Sequence, residues 1–385
     1  MFGRLTETGF FSRIVRSMDW LLFFSVMLIS VAGLVTMNSF IGENYFFEKQ
    51  IFSLSLSVFL FFVCSVIDWR FLRKTSVIMF IFISTCAILL VLFVLGNVVK
   101  GAQSWFDFGL FSFQPSDPAK LVVILVLAKY FTRRHIEIAH VRHILVSALY
   151  AGTIFALVFL QPDFGSAIII LSVWFGMVFV SGISKKHLIT VIMLGVISFA
   201  CLWIFVFKPY QKARIMTFIH PLTDIRGAGY NAYQSTIAVG SGQLLGKGVG
   251  YGTQSKLQFL PEYETDFIFA AFAEEWGFVG VGVLFVLFAF VIFKILYYAV
   301  HGASNFEMLF GIGLAILFIS HFIIHVGMNI GLLPVTGTTI PFMSYGGSHL
   351  VTEFVGLGIL MGMARYRRAV YRGVLENEVV GISHV

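Results

Sequence analysis

Long, nearly uninterrupted apolar runs divide the chain, and they constrain its fold more than any other feature. Helical runs of about 20 apolar residues match the thickness of the hydrocarbon core of a bilayer. Apolar residues make up 58% of the sequence and charged residues 12%, whereas about 25% of the residues in a soluble domain are charged. The pattern therefore predicts an all-α integral membrane protein.

We expect about ten transmembrane helices in one polytopic domain that covers residues 1–385. The approximate ranges are 20–40, 51–67, 77–95, 119–131, 144–160, 166–180, 188–207, 278–300, 308–332 and 350–363. The first run is long enough to span a bilayer and is preceded by Arg-containing polar sequence without a small-residue cleavage site. It is therefore interpreted as a signal anchor.

The distribution of Lys and Arg predicts that both termini are cytoplasmic, because short cytoplasmic loops carry an excess of these residues. On this orientation the short outer loops hold only Lys49 and Lys100. The cytoplasmic side receives Arg4, Arg13, Arg16, Arg70, Arg73, Lys74, Arg133, Arg134, Arg142, Lys185, Lys186, Lys294, Arg365, Arg367, Arg368 and Arg372. The net charge of +7 is thus a matter of topology, and no basic stripe indicates a nucleic-acid partner. Residues 365–385 form a predicted cytoplasmic tail.

One segment, residues 208–266, interrupts the apolar pattern between the seventh and eighth spans. It is rich in Gly, Gln, Tyr and charged residues, with aliphatic and aromatic residues interspersed. Long loops in compact proteins are usually functional or disordered, and the interspersed apolar residues disfavour disorder. We expect a large extracytoplasmic loop that contains short amphipathic or re-entrant helices.

Ionisable residues at the edge of the predicted spans are the candidates for function, because such groups are costly in a membrane. Asp117 and Lys120 are three residues apart, so they can pair on one helical face. The pair is interpreted either as a lock at the helix end or as a cation that faces an anionic ligand. Asp163 follows Pro162 in a tight turn and is either a solvated turn residue or part of a site. Arg214, near Gln211, either snorkels to lipid phosphate or binds substrate.

The stretch from Pro261 to Gly277 gives the strongest signal, because carboxylates flank and enter an aromatic run. Asp266 lies at the edge of the hydrocarbon, where partial desolvation suits a general base; helix capping is the alternative. Glu274 and Glu275 lie two turns deeper.

The predicted ninth helix and the loop after it carry uncharged or weakly charged polar groups. His321 and His325 are four residues apart; interhelical hydrogen bonding is favoured over metal binding because no third ligand is identifiable nearby. The loop 331–348, which includes Ser344, is uncharged and rich in Pro, Gly and hydroxyl groups. Such backbone persists at membrane depth only when it is buried in protein or lines a wet cavity.

Five runs resemble motifs of the SEDS family (RodA, FtsW, SpoVE) in order and spacing: 114–120, 161–165, 210–214, 261–277 and 334–348. Details such as Pro-Val-Thr-Gly at 334–337 resemble the RodA branch. The resemblance covers nearly the whole chain. Three positions depart from the family pattern, and in two of them Asp117 stands where the family has Glu and His349 stands where a small residue is common. In addition, the Arg of a Gly-Ala-x-Arg-Trp pattern is replaced by Ser104.

The resemblance implies a peptidoglycan glycosyltransferase that polymerises lipid II at the outer face of the bacterial inner membrane, for cell elongation and shape. Asp266 is the implied catalytic residue. The candidate substrate-binding residues are Lys120, Arg214, Asp117, Gln211, Asp163, Glu275 and Ser344. The implied partner is a class B penicillin-binding protein transpeptidase within an elongation complex. A divalent cation, Mg²⁺ or Mn²⁺, is a candidate cofactor for the pyrophosphate, although the sequence shows no dedicated metal ligands.

Two other functions stay open on the sequence alone. A lipid II transporter or flippase would have discontinuous helices with charged groups near the midplane of the membrane. A non-catalytic scaffold of a cell-wall synthesis complex would tolerate substitution of Asp266.

Overall fold

The computed structural model describes residues 18–38, 45–95, 97–99, 102–107, 112–132, 141–207, 209–220, 229–257 and 259–382. Arg4, Arg13, Arg16, Arg133, Arg134 and Lys100, which were used for the predicted orientation, lie outside these residues. The helices are α1 (Trp20–Asn38), α2 (Tyr45–Val66), α3 (Thr75–Leu95), α4 (Ser116–Thr132), α5 (Val141–Leu160), α6 (Phe164–Val180), α7 (Lys185–Phe205), α8 (Pro209–Ile219), α9 (Tyr230–Ser241), α10 (Thr253–Lys256), α11 (Ile268–Val300), α12 (Asn305–Asn329) and α13 (Gly347–Ile382), with a 3₁₀ helix at Trp69–Arg73.

The long helices reproduce the predicted spans in order. Within the described ranges, eight helices are long and apolar enough to cross a membrane. The two remaining spans correspond to α4 and α6, which have 17 residues each. The predicted multi-pass membrane architecture is therefore confirmed as nearly all-helical, while the side on which the termini lie stays a prediction.

The centre of the bundle is formed by α4 and α12, both of which are buried along most of their length. Helix α12 packs against α4, α6 and α11, and α13 lies along α2. At the periphery, α7 has no buried residue, so its apolar side chains suit a lipid environment.

Ion pairs connect the helix ends that are predicted to be cytoplasmic. The ammonium of Lys294, near the end of α11, lies 2.8 Å from the Asp19 carboxylate, just before α1. Arg73 pairs with Glu307 in the first turn of α12, and Lys129 at the end of α4 donates to the Arg73 carbonyl. These contacts bring the starts of α1 and α12 and the ends of α4 and α11 together on one side of the bundle.

A small antiparallel sheet between α3 and α4 was not predicted. Its strands are β1 (Asn97–Val99), β2 (Ala102–Asp107) and β3 (Ser112–Phe113), in the order β1-β2-β3. It links the end of α3 to the start of α4, where Asp117 and Lys120 lie.

The described parts of the segment 208–266 contain the predicted short helices α8, α9 and α10, and this segment packs onto a break in α11. The break is at Gly277, whose φ is 65°. Residues 243–248 lie beside the break. The N–H groups of Phe278 and Val279 donate to the carbonyls of Gln243 and Leu244, respectively. In the other direction, the backbone N–H groups of Lys247 and Gly248 donate to the backbone carbonyls of Glu274 and Glu275. These bonds satisfy backbone groups that the break leaves without intrahelical partners.

Candidate active site

The loop between α12 and α13 folds back into the end of the bundle opposite the ion pairs described above. Ile340, Phe342 and Met343 are at most 1% exposed. The Ser344 hydroxyl accepts from the Ile340 N–H (3.0 Å) and donates to the Thr265 carbonyl (2.8 Å). The loop is therefore buried in protein, as its composition predicted, and Ser344 holds it against the segment that carries Asp266.

Asp266 lies in the turn that precedes α11. Its N–H donates to the Glu262 carbonyl (3.0 Å), and its own carbonyl accepts from Asn329 Nδ2 (3.0 Å). A Cβ atom added to Gly337 would lie 3.5 Å from Asp266 Oδ2, so the backbone of the buried loop faces this carboxylate. The side chain is half-buried. A carboxylate that is held through its backbone and is partly open has the placement that a general base needs.

Asn329, the last residue of α12, was not identified from the sequence. Its side chain is fully buried; besides the bond to Asp266, Nδ2 donates to the His325 carbonyl (2.8 Å) and Oδ1 accepts from the Ala270 N–H (3.2 Å). The only sign of its role in the sequence was that an amide side chain lies near the end of an apolar helix. Asn329 joins the end of α12 to the first turn of α11.

Asp117 and Lys120 form a buried ion pair in the first turns of α4. Lys120 Nζ lies 3.0 Å from Asp117 Oδ1, and the two side chains are 4% and 3% exposed. The pairing predicted from the three-residue spacing is confirmed. Its burial is compatible with a lock at the helix end and with a charge placed beneath a site, so both interpretations stay open.

Two residues of α13 extend this buried group of charges. His349 Nδ1 lies 3.5 Å from Asp117 Oδ1, and His349 Nε2 lies 2.9 Å from Glu353 Oε1. Glu353 was not identified from the sequence, although a carboxylate inside an apolar helix is a signal of function. The start of α4 and the start of α13 are thus joined by charged groups.

Asp163 caps the start of α6. Its Oδ1 accepts from the Ser166 N–H (3.0 Å), and its Oδ2 accepts from Gln114 Nε2 (2.8 Å) and the Ser116 hydroxyl (2.9 Å). These bonds connect α6 to the start of α4. They describe a structural role for Asp163, while its predicted contact with substrate stays a prediction.

Glu274 and Glu275 hold the polar segment against α11. Glu274 is fully buried, and its carboxylate accepts from Lys247 Nζ (2.6 Å), the Thr253 N–H (2.9 Å) and the Gln254 N–H (3.2 Å). The Glu275 carboxylate accepts from the Gly250 N–H (2.9 Å). Glu274 was not among the predicted site residues, yet it holds the polar segment through three hydrogen bonds.

Gln211 and Arg214 lie on α8, which follows α7. Gln211 is buried and Arg214 is exposed, so the two side chains point to different environments. Substrate binding by these residues stays a prediction.

The histidines of α12 bind the buried loop. His325 Nδ1 lies 2.7 Å from the Thr338 carbonyl, and His321 Nδ1 lies 3.1 Å from the Thr339 carbonyl. Since a carbonyl only accepts, each Nδ1 carries the proton. Hydrogen bonding was predicted, but to another helix; the partner is instead the loop. Within the described residues, no group of three or more His, Cys, Asp or Glu is placed to hold a metal ion.

A family model described as a cell cycle protein of the FtsW, RodA and SpoVE type matches residues 13–369. The chain belongs to this family. The family inferred from the motifs is therefore confirmed, and its motifs coincide with the end of the bundle that holds Asp266 and the buried loop.

Curated relatives in the FtsW/RodA/SpoVE family are similar over most of the chain. Peptidoglycan glycosyltransferase MrdB of Escherichia coli is 37% identical over 297 residues, which cover 75% of this chain and 78% of that protein. Stage V sporulation protein E of Bacillus subtilis is 32% identical over 366 residues, covering 91% of this chain and 98% of that protein.

Solved structures agree with the family assignment. A chain from a structure described as the structural coordination of polymerization and crosslinking by a peptidoglycan synthase complex is similar with a TM-score of 0.78 and 30% identity, covering 91% of this chain and 98% of that chain. The Thermus thermophilus rod shape determining protein RodA is similar with a TM-score of 0.68 and 29% identity, covering 90% of this chain and 96% of that chain.

Proposed function

We propose that this protein is a peptidoglycan glycosyltransferase that polymerises lipid II at the outer face of the bacterial inner membrane, for cell elongation and shape. The observation that carries the proposal is the placement of Asp266. Its carboxylate is partly open, faces the buried loop at Gly337, and is held through its backbone by Asn329. The names of the relatives, which include peptidoglycan glycosyltransferases, support the same activity.

In the proposed reaction Asp266 is the general base. A sugar hydroxyl of the acceptor attacks the anomeric carbon of the donor, and Asp266 takes the proton of that hydroxyl. The bond between the anomeric carbon and the pyrophosphate oxygen breaks, and the pyrophosphate leaves with the bonding electrons. One displacement turns an α-linked donor into a β-linked product, so one base suffices and no covalent enzyme intermediate is needed.

The leaving pyrophosphate needs positive charge, and we assign this role to Lys120 and Arg214. Lys120 is buried, where a charge is weakly screened, and Arg214 is exposed on α8. A Mg²⁺ or Mn²⁺ ion would supply further positive charge for the pyrophosphate, although the described residues provide no group of three or more ligands for it. Contacts from Gln211, Asp163, Glu275 and Ser344 to the rest of the substrate are part of the proposal, and Asp117 is proposed to act on the substrate only through its ion pair with Lys120.

We further propose that the enzyme works with a class B penicillin-binding protein in an elongation complex. Similarity to a chain of a peptidoglycan synthase complex supports this partnership. The lipid-facing outer surfaces of the bundle are the proposed contact regions.

Substitution of Asp266 by Asn tests the catalytic assignment. Asn keeps the shape of the side chain but cannot accept the proton, so we expect polymerisation of labelled lipid II to fall below detection while the protein stays folded. Asp68→Asn is the matched control, because Asp68 caps the 3₁₀ helix and Asn is an equally good cap. Polymer formation by Asp266→Asn at the rate of the control would refute the assignment.

Substitution of Arg214 tests the binding of pyrophosphate. We expect Arg214→Ala to raise the KM for lipid II about ten-fold, which is the effect of losing about 1.4 kcal/mol of binding. Lys212→Ala on the same helix is the control, because the Lys212 ammonium lies over the Trp203 ring. Equal KM values for the two variants would remove Arg214 from the site.

The position of the helix break weighs against the transporter. The part of α11 after Gly277, residues 278–300, is by itself long enough to span the hydrocarbon core. The break therefore lies at the edge of the membrane, whereas a transporter would place it near the midplane.

A further inference from the structure

His349 lies in the first turn of α13, buried between carboxylates from two helices. Its Nδ1 faces Asp117 Oδ1 at 3.5 Å and its Nε2 faces Glu353 Oε1 at 2.9 Å. An ionised carboxylate only accepts protons. With Asp117 and Glu353 ionised, both ring nitrogens face acceptors, so a ring with a proton on each nitrogen fits this position, although the close approach of Nε2 and Oε1 lacks hydrogen-bond geometry.

Asp117 is consequently shared between two cations. Lys120 Nζ lies 3.0 Å from the same Oδ1 atom that His349 faces, and Asp117 Oδ2 is buried without a hydrogen-bond partner. Lys120, His349 and Asp117 together carry one net positive charge. Glu353 balances it from the far side of the imidazole ring, so the group of four is neutral, as buried charges require.

Glu353 also reaches the loop that faces the catalytic carboxylate. Its Oε2 accepts from the Phe342 N–H at 2.8 Å. The neighbouring His321 ring, whose centroid is 4.7 Å from that of His349, donates to the carbonyl of Thr339 in the same loop. The charged group at the start of α4 and the loop beside Asp266 are therefore held as one unit.

We propose that His349 is a positioning residue for Lys120. The positive charge of His349 also attracts the Asp117 carboxylate, so that Asp117 does not cancel the charge of Lys120. Glu353 holds the imidazole ring in position. Both Asp117 and His349 are positions at which the sequence departs from the family pattern, and the structure places the two departures in contact. The inference rests on the proposed function, in which Lys120 stabilises the pyrophosphate.

Initial rates of glycan polymerisation against lipid II concentration test the proposal with the full-length protein. We expect His349→Ser to raise the KM about ten-fold with a smaller fall in kcat, because the pyrophosphate is already charged before the bond breaks. His349→Gln fills space but carries no charge, so the same rise is expected. Adding Asp117→Asn to His349→Ser returns one net positive charge around Lys120, and the KM is expected to return to within about three-fold of the wild-type value.

This rescue separates an electrostatic role from a purely structural one, since replacing a carboxylate by an amide of the same shape removes a charge but does not fill the space left by the imidazole ring. His301→Ser, at an exposed histidine after α11, is the control and is expected to match the wild type. A KM for His349→Ser and His349→Gln equal to that of the control, or a double variant no better than His349→Ser, would overturn the inference. So would a lower unfolding temperature with kcat and KM unaffected in the folded fraction.

The same assay distinguishes this inference from the proposed function. If the wild type polymerises lipid II and Asp266→Asn does not, but the His349 variants keep the wild-type KM, only the inference fails. If the wild type forms no polymer, the proposed function fails and the inference fails with it.

Discussion

Replacing Asn329 by Ala should disturb the end of the bundle that holds Asp266 without removing a charged group. The side chain is fully buried and bonds the Asp266 carbonyl, the His325 carbonyl and the Ala270 N–H. Each neutral bond contributes about 1 kcal/mol net, and a buried donor left unpaired costs about 1–3 kcal/mol. The free energy of unfolding should therefore fall by about 2–4 kcal/mol.

The substitution Asn329→Ala should change kcat more than it changes the KM for lipid II. The Asp266 peptide loses its bond to α12, and a displaced base lowers the rate of the chemical step. We expect kcat for lipid II polymerisation to fall at least about ten-fold, which corresponds to about 1.4 kcal/mol of transition-state stabilisation, with little change in KM. Rates measured on the folded fraction and a thermal unfolding curve in detergent give the two quantities separately.

Asn305→Ala is the matched control, since Asn305 is an exposed residue at the opposite end of the same helix. It should leave both the unfolding temperature and kcat at the wild-type values. If Asn329→Ala behaves like Asn305→Ala, then Asn329 does not hold Asp266 in place and the reasoning is wrong.

Two further predictions concern the polar segment and the turn before α11. Gly277→Ala should sharply lower the yield of folded protein, because φ is 65° and the added Cβ would lie 2.2 Å from the Gly246 nitrogen. Gly282→Ala is the control and should leave the yield unchanged, since its added Cβ meets no atom within 4 Å. Equal yields of the two variants would contradict this prediction. Burial, and then the charge of Glu264 and a hydrogen bond to it, raise the pKa of Tyr263 from 10.0 to about 12. A raised pKa favours the protonated phenol in the folded state, so its stabilisation is complete below pH 10 and is lost as the pH rises towards 12. Unfolding temperatures across this range should fall less for Tyr263→Phe than for the wild type, and equal slopes would refute the assignment.

The motifs of the site could be predicted only in part, and the reason differs between residues. Asp117 and Lys120 pair across three residues of one helix, so the spacing alone predicts the contact. His325 was expected to bond another helix, but it bonds the carbonyl of Thr338, because the loop folds back into the end of the bundle that holds Asp266. No local pattern shows the path of such a loop.

Hydropathy determined the number and order of the spans, because transfer into lipid depends on each stretch of about 20 residues by itself. It also indicated that Asp266 lies at the membrane edge. Only the tertiary structure decided that His349 of α13 faces Asp117 of α4 and that Asn329 holds Asp266. These contacts join residues far apart in the chain, and they depend on which helices pack together and on the turn of each helix that faces its neighbour.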